Sequence, residues 1–152
     1  TNLPIIIFPG DSKQISNDAD AILFTSLISG RNLGGGVAYV GAACTAFGYA
    51  VSANMNGYFP LPLEDHTTNS WDFFVCAHEQ GHNCGTWHTH DYSPPLDGCG
   101  LGDCTDAYGG TIMSYCHTGG NPGSILEFHE VIIKQALNPG IANASCLDTC
   151  NY

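Results

Sequence analysis

Three of the seven histidines in this 152-residue chain fall within one stretch, His78-Glu79-Gln80-Gly81-His82-Asn83-Cys84-Gly85-Thr86-Trp87-His88. Imidazoles four residues apart on a helix point the same way, one turn above the other, so His78 and His82 can reach one cation. A continuing helix would carry residue 88 away from that cation. Gly85 permits the sharp exit that lets His88 swing back as a third ligand. Zinc takes nitrogen ligands at about 2.0–2.1 Å, and a catalytic zinc uses three protein ligands and keeps one position open. Glu79 is then placed to act on water as a general base without ligating. With this chain's own composition, the five fixed positions of the pattern arise by chance with a probability of roughly 5 × 10⁻⁵ over the chain. The competing reading is a helix whose histidines are surface groups or satisfied core groups.

Other side chains near this stretch fit the same chemistry less well. His90 follows His88 by two and is an alternative ligand, but the spacing from Gly85 favours His88. His66, His117 and His129 have no ligand spacing and read as structural. Cys84 lies inside the pattern at a position that does not match a thiolate ligand, and a disulfide there or at Cys76 would anchor the helix end. Asp97, Asp103 and Asp106 lie in a Gly-rich loop that is either ordinary solvated chain or a calcium site.

The elements that must hold these groups are legible in outline. Ser70 to Cys84 reads as a helix, capped by Ser70, with Asp72 in the first turn where the helix dipole favours an anion. Trp71, Phe74, Val75, His78 and His82 share one face of its 3.6-residue period. Short strands are expected at 5–8, at 21–25 (an apolar run suited to burial on both faces), at 37–41 and at 49–53, with a loop over 54–69. Glycines on both sides of Val37-Ala38-Tyr39-Val40 point to an edge strand that another backbone can approach. Residues 86–123 show little periodicity, a length that needs cross-links or a metal to stay ordered. Ser124 and Glu127 form a capping box for a helix that Asn138-Pro139-Gly140 ends at about 137. The fold expected is α/β: a twisted, mostly parallel sheet with one antiparallel edge strand, backed by the histidine-bearing helix, then an irregular C-terminal part ending in a helix. The whole chain, 1–152, reads as one domain, its N-terminal part running to about residue 85 and its C-terminal subdomain over 86–152.

Composition narrows the classes. Lys13, Arg31 and Lys134 are the only cations against fourteen carboxylates, a formal charge of −11. Nucleic-acid binding and anionic membrane surfaces both need cations, so neither is an expected partner. No apolar run approaches the length of a membrane span. The eight cysteines contain no CxxC pair, which favours disulfides in an oxidising compartment over zinc knuckles or redox sites. A small local loop between Cys99 and Cys104, and a tail stapled to the body through Cys146 or Cys150, are both plausible on spacing. With the sequon Asn143-Ala144-Ser145, this predicts a secreted protein whose signal has already been removed. The pairing of the cysteines and the oligomeric state are not legible in the sequence.

A second segment, Gly110-Thr111-Ile112-Met113-Ser114-Tyr115-Cys116-His117, begins 22 residues after His88. Alone, Met113 reads as ordinary core. With the histidine pattern it looks like a methionine turn, and the chain resembles the metzincin zinc endopeptidases, HExxHxxGxxH plus Met-turn. Within them it is most similar to the reprolysin (adamalysin-like) group, especially its bacterial-type members, through Gly35-Gly36-Val37-Ala38-Tyr39-Val40-Gly41, His88-Thr89-His90-Asp91-Tyr92-Ser93-Pro94-Pro95-Leu96-Asp97 and the Met113 segment. The likeness covers roughly residues 21–135. It implies zinc held by His78, His82 and His88, Glu79 as the general base, and Met113 as a packed, non-ligating floor. It also implies that Val37, Ala38, Tyr39 and Val40 pair with an extended protein or peptide substrate, and that residues after Met113 wall a side-chain pocket.

Three features depart from that pattern or are open within it. Thr89 stands where adamalysins carry an Asp after the third histidine, and Asp91 is the candidate replacement. About twenty residues precede the strand at 21–25 where two strands and a helix are usual, so the chain is expected to be a minimal version or a partial piece. Tyr115 is similar to a tyrosine that assists the transition state in the astacin and serralysin branches; as a reprolysin residue it would only wall the pocket. The sequence thus predicts a zinc endopeptidase, with a zinc-binding but inactive recognition domain and a metal-free, disulfide-stapled structural domain as rivals.

Overall fold

The computed structural model describes residues 24–65, 70–97, 109–119 and 123–147. A three-stranded sheet is built from β1 (Thr25–Ile28), β2 (Gly36–Ala38) and β3 (Tyr49–Ser52), in the order β1-β3-β2. β1 runs parallel to β3 with Leu27 opposite Val51, and β2 runs antiparallel to β3 with Val37 opposite Val51. The mixed α/β fold and the antiparallel edge strand agree with expectation.

The first described strand differs from its expected form. It starts at Thr25, whose amide donates to the Gly48 carbonyl at 2.8 Å, and pairs through Ile28. Buried Ser26 faces inward and half-exposed Leu27 faces outward, so this is not a strand covered on both faces. Pairing with β3 sets the register, and the apolar run before it does not. The expected strand at 5–8 and residues 21–23 lie outside the described residues.

Helix α1 (Trp71–Asn83) packs on the inner face of the sheet, where Ser26, Ala50 and Ser52 are small and let it approach closely. Its start is held differently from expectation. The Ser70 hydroxyl donates to the Glu64 carbonyl at 2.6 Å and makes no cap bond. The Asp72 carboxylate accepts the amides of Asn56 and Gly57 at 2.9 and 2.7 Å, and the Trp71 indole donates to the Ala53 carbonyl at 3.0 Å. These three bonds pin the long loop between β3 and the helix. Where α1 ends, the Gly85 amide bonds the His82 carbonyl and the Thr86 amide bonds the Gly81 carbonyl, the paired bonds of a Schellman turn. Gly85 has φ +101°, open to glycine and strained for other residues. The Asn83 side-chain amide, fully buried, donates to the carbonyls of Tyr39 and Tyr49 and ties the helix end to β3 and to the residue that follows β2.

Beyond a 3₁₀ turn (Thr89–Asp91) and a short helix α2 (Cys116–Gly119), the C-terminal helix differs most from expectation. Residues 123–127 form no capping box. Gly110 and Ser124 make a parallel bridge, the Ser124 hydroxyl lies 3.2 Å from that of Ser114, and the Ile112 amide bonds the Glu127 carbonyl. Long-range pairing has taken the Ser124 hydroxyl and the backbone on either side of it. Helix α3 (Glu130–Ile132) is capped instead by the His129 ring, which accepts the Val131 amide. It runs on through a π-helical stretch (Ile133–Leu137) into α4 (Asn138–Ala142), so Asn138-Pro139-Gly140 does not end it. Pro139, which has no amide to donate, is the second residue of α4 and follows directly on the π-helical stretch. Gly140 is there for contact: a Cβ on it would overlap the Cys84 carbonyl oxygen.

The buried core is Phe74, Ile112, Met113 and Ile132, gathered between α1, the Met113 turn and α3. A disulfide joins Cys44 to Cys146 with Cα atoms 5.5 Å apart, stapling the C-terminal segment to the loop after β2, as expected of the tail. Cys116 is also disulfide-bonded. Cys76 and Cys84 carry free thiols, which overturns the expected anchoring disulfide on α1; eight residues apart, they sit two helical turns from each other. Cys99, Cys104 and Cys150 lie outside the described residues. Among the described residues no helix is long and apolar enough to cross a membrane. Replacing Gly140 with Ala is expected to cost roughly 1–3 kcal/mol in urea unfolding, the range for overpacking a tight contact; an unchanged midpoint would remove the close approach of α4 to Cys84.

Candidate metal centre

His78 and His82 lie on the inner face of α1 at 6% and 7% exposure, and the Schellman turn brings half-buried His88 back onto them. Ring centroids are 4.9 Å apart for His78 and His82, 5.2 Å for His78 and His88, and 4.7 Å for His82 and His88. One ring nitrogen from each lies within 4.8 Å of the other two. The Nε2 atoms of His82 and His88 are 3.2 Å apart. Two nitrogens bound tetrahedrally to one zinc would lie about 3.3 Å apart.

The far side of each ring explains which nitrogen faces inward. His78 Nδ1 lies 2.7 Å from the Ile112 carbonyl and His82 Nδ1 lies 2.8 Å from the Thr86 carbonyl. A carbonyl oxygen only accepts, so each Nδ1 carries the proton and each Nε2 keeps its lone pair. His88 Nδ1 faces the Asp91 carboxylate at 3.4 Å. Asp91, two residues beyond Thr89, is thus the carboxylate beside the His88 ring. Thr89 does other work: it is fully buried, and its amide donates to the Met113 carbonyl at 3.0 Å.

Burial also keeps the rings neutral. It lowers His78 to about 3, opposed by the Ile112 bond and reinforced by the neighbouring imidazoles. It lowers His88 to about 4, with His82 and His90 adding to it, and it lowers His82 as well. Three neutral imidazoles with inward lone pairs make a donor set suited to zinc. His90 stacks on His88 with centroids 5.1 Å apart and its Nε2 3.7 Å from Asp91, outside the His78, His82 and His88 group. His88, His90 and Asp91 form a second ligand-type group that shares His88.

A model of metallo-peptidase family M12 matches residues 8–126, more than three quarters of the chain. The chain belongs to metallo-peptidase family M12. Short matches point elsewhere. A 32-residue stretch is 72% identical to geranylgeranylglyceryl phosphate synthase of Flavobacterium johnsoniae, covering 21% of this chain and 13% of that protein. The enzyme of the same name from Zunongwangia profunda is 69% identical over 32 residues, 21% of this chain and 14% of its own length. The chain thus spans about one seventh of these curated relatives.

In this M12 peptidase chain, Glu79 follows the first histidine and is 4% exposed. Burial pushes its carboxyl up to about 7, and its Oε2 is buried without a hydrogen-bond partner among the described residues. Tyr115 lies beside the cluster, its ring 4.5 Å from that of His88 and 6.4 Å from that of His78. Burial, then the charges of Glu79 and Asp91, raise its phenol. Met113 is fully buried behind α1, where a Cβ on Gly81 would come within 2.8 Å of its sulfur. A cavity of about 490 Å³ opens beside these groups, lined among others by Gly36, Ala38, Glu79, His88, Tyr115 and His117. His117 packs on Phe74 and Trp71 at 5.0 and 5.4 Å, a wall after Met113 as the resemblance implied.

The edge strand is shorter than expected. Gly36–Ala38 stays in the ladder, whereas Tyr39 and Val40 leave it and the Tyr39 carbonyl is taken by Asn83. Asp97 accepts the Thr111 amide and hydroxyl, so its carboxylate serves the turn before Met113. Asp103, Asp106 and His66 lie outside the described residues. Sequence reasoning missed Gly36, Gly81 and the carbonyls of Ile112 and Thr86. Main-chain partners leave no residue-type signal.

The pH dependence of the metal-free protein follows from the depressed rings. Near pH 6.5 the unfolded imidazoles take up protons while folded His78 and His88 stay neutral to about 3–4 and His82 is lowered as well, so these groups bind more protons in the unfolded state in that window. The imidazole contribution is full above 6.5 and falls as pH drops, opposed in part by Glu79, whose raised carboxyl keeps a proton in the folded chain up to about 7. The Tm of chelator-treated protein should decline steadily from about pH 7 to about pH 4, and His78→Gln should flatten that slope; a pH-independent Tm would contradict the buried neutral rings.

Proposed function

We propose that this chain is a secreted zinc endopeptidase of the reprolysin (adamalysin-like) kind. The observation that carries the reading is the orientation of His78, His82 and His88. Two rings spend Nδ1 on carbonyls and the third faces a carboxylate, leaving three inward nitrogens beside a buried glutamate. Zinc held by those three nitrogens would act as a Lewis acid toward a peptide carbonyl and lower the pKa of water.

Every other role falls to the chain. Glu79, with a carboxyl near neutrality, accepts a proton from the attacking water and returns it to the leaving amine. Main chain at Gly36–Ala38 lies at the sheet edge and lines the cavity, so an extended peptide can add to it as a strand. Asp91 and the two carbonyls hold the rings in orientation. Tyr115 and His117 wall the space beside them. The Cys44–Cys146 disulfide supports an oxidising, extracellular setting.

The synthase named by the short matches is a weaker reading. A 32-residue likeness spanning 13% of that enzyme brings too little chain to rebuild its site. Three cationic side chains also offer little to a phosphate substrate.

Metal analysis joined to a quenched peptide-library assay tests the proposal. Purified protein should carry zinc near one equivalent, cleave internal peptide bonds and lose that activity to a chelator. Glu79→Ala should keep the zinc and lose activity by about 10²–10⁴-fold. Zinc without cleavage in the wild type would favour the inactive recognition domain, and no zinc at all would favour the structural domain.

A further inference from the structure

We infer that Gly36, on the edge strand, is a positioning residue that holds the Glu79 carboxylate in place by having no side chain. An ideal Cβ built on Gly36 would lie 2.6 Å from both Cδ and Cγ of Glu79 and would overlap its Oε1. Real Cβ atoms essentially never come within 3.0 Å of a neighbour, so one of the two must move. Gly36 lies outside the left-handed φ region, so Ala fits its backbone without strain. The flanking Gly34 and Gly35 differ: both have positive φ, and a Cβ there would meet open space. Of the three consecutive glycines, two serve the turn and the third serves Glu79.

Which partner yields is decided by stiffness. Gly36 is paired to Ser52 in the central ladder, and β2 is further held by its register through Ala38. The colliding atoms of Glu79 are the far end of a flexible side chain. Swinging that end away is the low-cost relief, and the open direction is the cavity that both residues line. A methyl group at position 36 therefore displaces the carboxylate and leaves the strand, α1 and the three imidazoles in place. Misplacing a catalytic group by about 1 Å can cost on the order of 10²-fold in rate.

The kinetic consequence rests on the peptidase reading, whereas the contact itself does not, and the experiment separates the two. Gly36→Ala should bind zinc with wild-type stoichiometry, change peptide KM by less than about threefold and lower kcat on the order of 10²-fold. In metal-free protein, Gly36→Ala should be less favourable to Tm in the Glu79 chain than in a Glu79→Ala background, the difference reporting the contact between the methyl and the side chain. If Gly36→Ala does not fold alone, folding should return in Gly36→Ala/Glu79→Gly. A kcat within twofold of wild type, an equal Tm shift in both backgrounds, or failure of both variants to fold would overturn the inference. If wild type cleaves no peptide, the peptidase reading fails, and the metal-free double-mutant cycle still decides whether Gly36 and Glu79 touch.

Discussion

Two ring nitrogens 3.2 Å apart in a largely buried site must share something, either a proton or a cation. In this chain the proton option is disfavoured. Burial disfavours an added proton on His82 and His88, the Nδ1 proton of His82 is committed to a carbonyl, and the Asp91 carboxylate favours the His88 proton on Nδ1, away from His82. What remains is a cluster of lone pairs that repel until a cation joins them. The rest of the structure keeps that unfavourable arrangement in place. The Schellman turn returns the chain after α1, the Thr89 amide locks that return onto Met113, and the Ile112 carbonyl reaches His78 from the same turn.

Tight approach at glycines is the second recurring device. Gly81 lets the Met113 sulfur lie against α1, Gly36 admits the Glu79 carboxylate beneath the edge strand, and Gly140 lets α4 rest on the Cys84 carbonyl. Each sits where a methyl would displace a functional group or its support. Close packing therefore sets the position of the metal-ligand helix from three sides. The Cys44–Cys146 disulfide then fastens the C-terminal segment to the loop after β2.

The acidic balance acquires a structural meaning. Asp72 accepts two loop amides, Asp97 accepts from Thr111, Asp65 accepts the Leu126 amide and Asp91 faces His88. These carboxylates pair with backbone and imidazole in place of the scarce cations. The exposed Lys134–Glu130 pair at 2.8 Å lies one helical turn apart and contributes little. Among the described residues, loops are thus anchored through charge-assisted bonds from carboxylates to amides.

How much was legible depended on how local each feature is. Helix α1, the shared face of His78 and His82, the turn at Gly85 and the return of His88 are all written within about a dozen consecutive residues, where the 3.6-residue period and a single φ decide the outcome. The sequence alone therefore determined the cluster of three histidines, the acid beside it and the antiparallel edge strand. Features that depend on partners far along the chain were decided by tertiary structure. Ser124 pairs with the Gly110 segment and caps no helix, and Pro139-Gly140 lies inside a helix because Gly140 meets Cys84. The carbonyl that orients His78 comes from Ile112, 34 residues away. Backbone groups are the same at every residue, so only the folded chain can say which of them arrives.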